Sequence, residues 1–182
     1  RRSAKIAGID YYGTEHEDSE HRSYAASVLC DELNKFRSQV QKMYTGMQQE
    51  GEEETDYEKM MLDYMNRVLS QKVFTTLEQT KYVKMLEEAT ESLYRKNRER
   101  IFVKQYEGLC LRLLELKKFP ETEKWCRRLV QQHGNTLEAY TCQLKLYFTM
   151  GEREKFFQVM QELKQSDVII DNETLELIRI FS

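Results

Sequence analysis

Apolar residues recur along most of this chain at helical spacing, with polar residues filling the intervals. The first sustained stretch is residues 22–47, where Leu29, Leu33, Phe36, Val40, Met43 and Met47 fall at intervals of 4-3-4-3-4. That is an a/d seam on a single long helix, wet on its other face through Asp31, Glu32, Lys35, Arg37, Gln41 and Lys42. It serves either as a helix packed inside the fold or as a dimer seam carried by Leu29, Leu33, Phe36, Val40 and Met43. A polar connector follows, Gln48 to Asp56, with the acidic run Glu52-Glu53-Glu54. Thr55-Asp56-Tyr57-Glu58 reads as a capping box opening a helix to about Ser70, with a face of Tyr57, Met60, Met61, Tyr64, Met65, Val68 and Leu69. So methionine-rich a face suits an adaptable groove or an irregular core. Thr75 or Thr76 caps the next helix, Phe74 stands where a hydrophobic staple would, and Leu77, Val83, Leu86, Leu93 and Tyr94 form the stripe. Before residue 20 the pattern is different: a β-like run, Lys5 to Tyr12, then an acidic stretch, Glu15 to Glu20, read as a lead-in or a docking arm.

Residues 103–165 then read as one helical hairpin written twice, 34 residues apart. Val103 maps onto Leu137, Tyr106 onto Tyr140, Leu113 onto Tyr147, Leu114 onto Phe148, Leu116 onto Met150, Cys126 onto Met160 and Leu129 onto Leu163. Lys117, in the first inter-helix turn, maps onto Gly151 in the second. Pro120 sits near the start of one helix, where a missing N–H costs nothing, and His133-Gly134 stops it. Asn135 or Thr136 caps the following helix. A run at Asp167–Asp171 breaks the period, and a short helix from Asn172 supplies the cap that a repeat array needs. Paired helices with a 34-residue period are the tetratricopeptide signature. The fold class expected is therefore all-α: tetratricopeptide-like hairpins at 98–182, an N-terminal helical region at 21–97, and a lead-in at 1–20.

Composition narrows this picture. Charged residues make up 32% of the 182-residue chain and there is a single proline, which fits wet helices and leaves little material for β-turns. The net charge of −3 argues against nucleic-acid binding through bulk electrostatics. A basic run interleaved with aromatics, Tyr94 to Phe102 with Lys104 beyond it, suits either phosphate contact or a helix C-terminal dipole. No stretch approaches the ~20 apolar residues that cross a membrane, and no signal peptide is present. The chain starts at Arg1, as a piece cut from a longer protein would. Cys30, Cys110, Cys126 and Cys142 lack ligand spacing and read as reduced thiols in a cytoplasmic setting.

Catalytic chemistry is not legible. There is no glycine-rich phosphate loop, and His16, His21 and His133 form no metal or nucleophile–base set. Asn172-Glu173-Thr174 fits a glycosylation sequon that a cytoplasmic protein does not use. The expectation is a non-enzyme without cofactor or metal. Its partner would be a protein, and it would not engage a membrane.

The run Asn135-Thr136-Leu137-Glu138-Ala139-Tyr140, with Leu144, Tyr147 and Gly151, resembles the second hairpin of the bacterial transcriptional activator domain. Asp167 to Ile178 resembles that domain's closing loop and helix, so the likeness covers about residues 90–182. The family's glycine falls at Ile169 or a neighbour here, its proline at Asp171 or Asn172, and its early "G-D-F/L-L" stretch is absent. The resemblance implies a tetratricopeptide-like oligomerisation and activation module of an antibiotic-regulatory-type regulator. DNA would then be contacted only by a domain outside this chain, and the partners would be a second copy or the transcription machinery.

Repeat geometry places the binding face on the concave side of each first helix. That side carries Lys104, Glu107, Leu111, Leu114 and Glu115, then Glu138, Thr141, Lys145, Phe148 and Thr149. Such a mixture of charge and apolar surface suits a peptide or a partner's helix. A peptide- or small-ligand-sensing tetratricopeptide-type regulator, with the N-terminal helices as a switching bundle over the groove, and a plain scaffold are the other expectations for the same surface.

Overall fold

The computed structural model describes the backbone of residues 4–6, 9–11 and 17–182, with side chains from Ser19 onward. Two short strands, β1 (Ala4–Ile6) and β2 (Ile9–Tyr11), pair antiparallel with Ala4 opposite Tyr11. Everything else regular among the described residues is helical. The helices are α1 (Glu17–Gln49), α2 (Asp56–Leu69), α3 (Thr76–Asn97), α4 (Val103–Glu115), α5 (Phe119–His133), α6 (Leu137–Met150), α7 (Arg153–Gln165) and α8 (Asn172–Phe181). A single 3₁₀ turn, Arg98–Arg100, joins α3 to the loop before α4. The fold is all-α, built from helical hairpins, and no described helix is long and apolar enough to cross a membrane.

The 34-residue spacing holds at the helix starts, Val103 to Leu137 for α4 and α6 and Phe119 to Arg153 for α5 and α7. It holds in the turns as well. Lys117 N–H donates to the Leu114 carbonyl at 2.9 Å and Lys118 N–H to that of Leu113 at 3.0 Å. At the equivalent positions Gly151 N–H donates to Phe148 at 3.2 Å and Glu152 N–H to Tyr147 at 2.9 Å. These are two copies of the Schellman closure, which puts the residue after the C-cap in the left-handed region. Gly151 takes that conformation freely at φ 73°, but in the first copy a lysine must take it, at φ 57°. A side chain there costs about 1–2 kcal/mol, partly offset by the chain entropy that glycine would lose. Lys117→Gly is therefore expected to stabilise the protein by about 0.5–1 kcal/mol, read as a rise in urea midpoint at unchanged m-value.

A third hairpin, α2–α3, packs against α4 as the α4–α5 hairpin packs against α6. Its turn also contains a left-handed residue, Lys72 at φ 55°. The sequence period does not reveal this hairpin because α3 runs for 22 residues, against 15 in α5 and 13 in α7. The inner helices α2, α4 and α6 thus lie side by side, with α3, α5 and α7 behind them. Gly108 lets α4 approach α2 closely, since a Cβ there would stand 2.4 Å from Asn66 Oδ1.

One core runs unbroken from α1 to α6, through Phe36, Met61, Met65, Leu86, Tyr106, Trp125 and Leu146, and crosses residue 98 without interruption. A second, smaller core joins α6 and α7 to α8 through Leu144, Phe156, Val159, Met160 and Leu163. The methionines Met61 and Met65 are core, whereas Met60 of the expected α2 face is exposed and Tyr57, partly exposed, lays its ring against Gly46 of α1. Along α1 the seam divides. Phe36 and Val40 are fully buried within the chain, Met43 is partly buried against the same core, and Leu29 and Leu33 are partly exposed.

Two expected caps are built differently. Thr55 accepts no bond from the first turn of α2; its Oγ1 instead accepts from Arg100 Nη1 at 2.7 Å. Glu58 turns inward, where Lys96 Nζ donates to its Oε1 at 2.9 Å and to Glu50 Oε2 at 3.1 Å. The side chains of Lys96, Glu50 and Glu58 are 3%, 2% and 0% exposed, so the capping-box glutamate is here part of an interior ion triad tying the residue after α1 to α2 and α3. Thr75 does cap α3, its Oγ1 accepting from Glu78 N–H at 3.2 Å. Phe74 makes no staple, because the position it would meet is Gln79; its ring packs on Phe36 and Tyr82, with centroids 5.0 and 5.4 Å away. Leu77, expected in the α3 stripe, is 83% exposed, because the buried line of α3 starts at Gln79 and runs through Tyr82, Val83 and Leu86.

Candidate functional site

The inner faces of α4 and α6 and one side of α8 enclose a cavity of about 550 Å³. Helix periodicity decides who lines it: Lys104, Glu107 and Leu111 follow one face of α4, and Glu138, Thr141, Lys145 and Phe148 the matching face of α6. Leu114, Glu115 and Thr149 line an adjoining depression of about 410 Å³, which shares Leu111, Lys145 and Phe148 with the first. All ten positions expected on the concave face are thus brought to one continuous groove.

The far wall was not expected. It comes from α8, whose Leu177, Ile180 and Phe181 face the cavity, and from Phe156 of α7. Asp171 starts α8 by accepting from Thr174 N–H at 2.8 Å, a bond that holds its carboxyl below the usual range. The signal for this wall lay in the chain: α8 begins at Asn172, 35 residues after Leu137, close to the repeat period. Phe181 is fixed there by rings at 5.1 Å (Phe156), 6.3 Å (Phe157) and 6.3 Å (Phe148).

The floor is apolar, and Phe148 at its lip is 64% exposed, with Ile180 at 72% facing it from α8. The rim is acidic, with five carboxylates, Glu107, Glu138, Asp171, Glu173 and Glu176, against the ammonium groups of Lys104 and Lys145. Lys104 Nζ lies 3.3 Å from both Glu107 Oε1 and Glu138 Oε1, so one cation serves two anions. Burial pushes the Glu107 carboxyl above the usual range despite that lysine. The nearby Glu107 charge in turn raises Lys104.

Elsewhere most of the basic run and three of the four thiols are engaged in the fold, while Cys30 is a free thiol exposed on α1. In the basic run, Lys96 is interior, Arg100 holds Thr55, and Arg98 lies over the Tyr94 ring at 4.5 Å. Arg95 pairs with Glu52 on the surface at 3.4 Å. Cys110, Cys126 and Cys142 are free, buried thiols where α4, α5 and α6 meet, and hydrogen bonding to Cys126 pushes Cys110 well above the usual thiol range. His133 Nε2 is 3.2 Å from the Ile101 carbonyl, a structural contact, and His16 lies outside the described residues. Among the described residues no group of three or more histidine, cysteine, aspartate or glutamate side chains is arranged to hold a metal ion.

No family model matches the chain, and no curated protein or solved structure shows significant similarity to it.

Proposed function

We propose that this chain is a tetratricopeptide-like protein-interaction module, non-catalytic, whose α4–α6–α8 groove receives a segment of a partner protein. The observation that carries this reading is the groove itself: an apolar floor, exposed Phe148 and Ile180 at its lip, and a charged rim. Concave surfaces built from stacked hairpins serve repeat proteins as binding faces, and amphipathic segments lay their apolar side into such grooves. The left-handed turns repeated at Lys117 and Gly151 support the tetratricopeptide-like assignment. The resemblance of residues 90–182 to the bacterial transcriptional activator domain supports placing the module in a cytoplasmic transcriptional regulator whose DNA contacts lie outside this chain.

Peptides selected from a random display library against this protein are expected to bind the groove, and Phe148→Asp is expected to weaken them at least tenfold. A buried aromatic anchor carries about 2 kcal/mol or more at an interface. Selected peptides indifferent to both Phe148→Asp and Leu177→Asp, in variants that keep their helicity, would place the site elsewhere.

A small-ligand sensor is the second reading, favoured by the cavity volume of about 550 Å³, which falls in the range of small-molecule sites. It predicts that a screened small molecule raises the melting temperature of the wild type and not that of the Leu177→Asp variant.

A further inference from the structure

We infer that the segment held in the groove is a cationic amphipathic helix, with Lys or Arg flanking an apolar stripe. This rests on the reading of the groove as a protein-binding site and adds the chemistry of the occupant. Charge complementarity at a site of known shape selects that occupant. The rim carries five carboxylates and two ammonium groups, a local excess as large as the net charge of −3 of the whole chain. Arg179, which pairs with Glu176 from outside the lining, reduces that excess by one charge and does not remove it. Lys104 is divided between Glu107 and Glu138, each at 3.3 Å. Among the described residues Glu176 pairs only with Arg179, three residues on at its own helix surface, at 2.7 Å. Asp171 is engaged by the Thr174 amide of its own helix. Glu173 has no side-chain partner among the described residues.

An occupant with carboxylates would add to this repulsion, and a neutral one would leave the rim to water. Glu107 shows how the site responds to loss of solvent: burial already pushes its carboxyl upward. An occupant that covers the rim desolvates it further, so ionised carboxylates there need an incoming cation. The apolar demand is equally specific. Phe148 and Ile180 stand exposed on opposite lips, on α6 and α8. Side chains at i, i+3, i+4 and i+7 of a helix would cover both while its flanks reach Glu138 on one side and Glu173 on the other.

The test uses three fluorescein-labelled 18-residue peptides, a length chosen for about five helical turns. The first has leucines at i, i+3, i+4 and i+7 flanked by lysine; the second replaces every lysine by glutamate; the third keeps the first composition with the stripe scrambled. Anisotropy is read at two salt concentrations against the full chain. The first peptide is expected to bind at least tenfold more tightly than the other two, and to weaken as salt rises. Glu138→Gln/Glu173→Gln is expected to weaken it about three- to tenfold, as the loss of two rim pairs implies. Glu53→Gln/Glu99→Gln removes the same charge at exposed positions outside the groove and is expected to change nothing.

Equal loss in the two double variants would show bulk attraction and overturn the inference. Preference for the glutamate peptide, or equal binding of all three, would also overturn it, and sensitivity of that binding to Phe148→Asp would leave the groove standing as the site. Binding of the lysine peptide that ignores Phe148→Asp would sink the groove reading itself. Absence of peptide binding, with spermine instead protecting the wild type and not Glu138→Gln/Glu173→Gln against thermal unfolding, would replace the helix by a small polycation.

Discussion

Replacing Lys96 by methionine is expected to destabilise the protein by about 3–5 kcal/mol at neutral pH, since it leaves buried carboxylates uncompensated. That is a large part of the 5–15 kcal/mol that ordinarily holds a protein of this kind folded. Lys96 Nζ donates to Glu50, to Glu58 and, at 2.9 Å, to the Glu54 carbonyl. Ser92 Oγ supplies a further donor to Glu58 Oε1 at 3.1 Å, and no donor among the described residues reaches Glu58 Oε2. Burial raises the Glu58 carboxyl in the native protein, and the hydrogen bond it donates to Glu50 when protonated raises it further; Lys96 opposes both without overcoming them. For Glu50 burial also pushes upward, but Glu58, the Tyr57 amide and Lys96 together hold it below the usual range.

The pH dependence has a definite sign. A carboxyl whose folded pKa is raised is stabilising below its unfolded value and loses that contribution as pH rises through the folded value. The Glu58 carboxyl is in this class and loses its opposing cation with Lys96, so the deficit of the variant should be largest near pH 7.5 and smaller near pH 5, around the unfolded glutamate value of about 4.3. Urea melts at both values check it. The same deficit at both would assign the effect to packing rather than charge. Adding Glu50→Gln and Glu58→Gln to the variant should restore most of the loss, because no buried charge is then left unpaired.

Trp125→Ala is expected to cost a similar amount, about 3–5 kcal/mol. The indole is fully buried and its Nε1–H donates to Glu87 Oε2 at 2.8 Å. Tyr94 meets it edge-on at 6.2 Å, and the Arg128 guanidinium lies 4.7 Å from the indole and 3.8 Å from the Tyr94 ring. Arg128 is held in turn by Glu91 at 2.7 Å. Truncation would therefore remove the plug between α3 and α5 and leave the Glu87 carboxylate without its donor. In a stack of hairpins each unit is held by its neighbours. The variant is therefore expected to lose cooperativity as well as stability, with a lower m-value and different transitions by circular dichroism and by tyrosine fluorescence. A single coincident transition with unchanged m would show that the hairpins still unfold as one.

Glu91 adds an acid limb to this joint. Burial alone would raise its carboxyl, but Arg128 and Lys124 prevail and lower it. That contribution is present above the unfolded glutamate pKa and fades as pH falls through the lowered folded value.

The two hairpins were legible because their period and their turns are both written in residue types: apolar positions recur at 34, and Gly151 marks a left-handed turn. The α2–α3 hairpin was not, because its long second helix destroys the period and because Lys72, like Lys117, occupies a position that residue type alone assigns to glycine. Thr55 and Glu58 show a different limit. Their spacing matches a capping box, yet each is taken by a distant residue, Arg100 and Lys96, and no local pattern weighs that competition. The ten groove positions follow from helix periodicity. The α8 wall was foreseen as a helix but not as part of the site, since its role depends on a 35-residue step across an irregular run. The spacing along α1 shows a stripe, but that Phe36 and Val40 meet the chain's own core while Leu29 and Leu33 stay partly exposed is decided by tertiary packing.

Helix α8 belongs at once to the smaller core, through Phe181 and Leu177, and to the groove. Occupancy and local folding are therefore linked. If α8 detaches for a fraction of the time, the apparent affinity of any guest falls by the fraction of molecules in which the helix is docked. Substitutions behind α8, at Phe157 or Ile178, would then weaken binding without touching the guest, and a bound guest would slow amide exchange along α8. Affinity at this site would be tuned as much from the back of the helix as from its front.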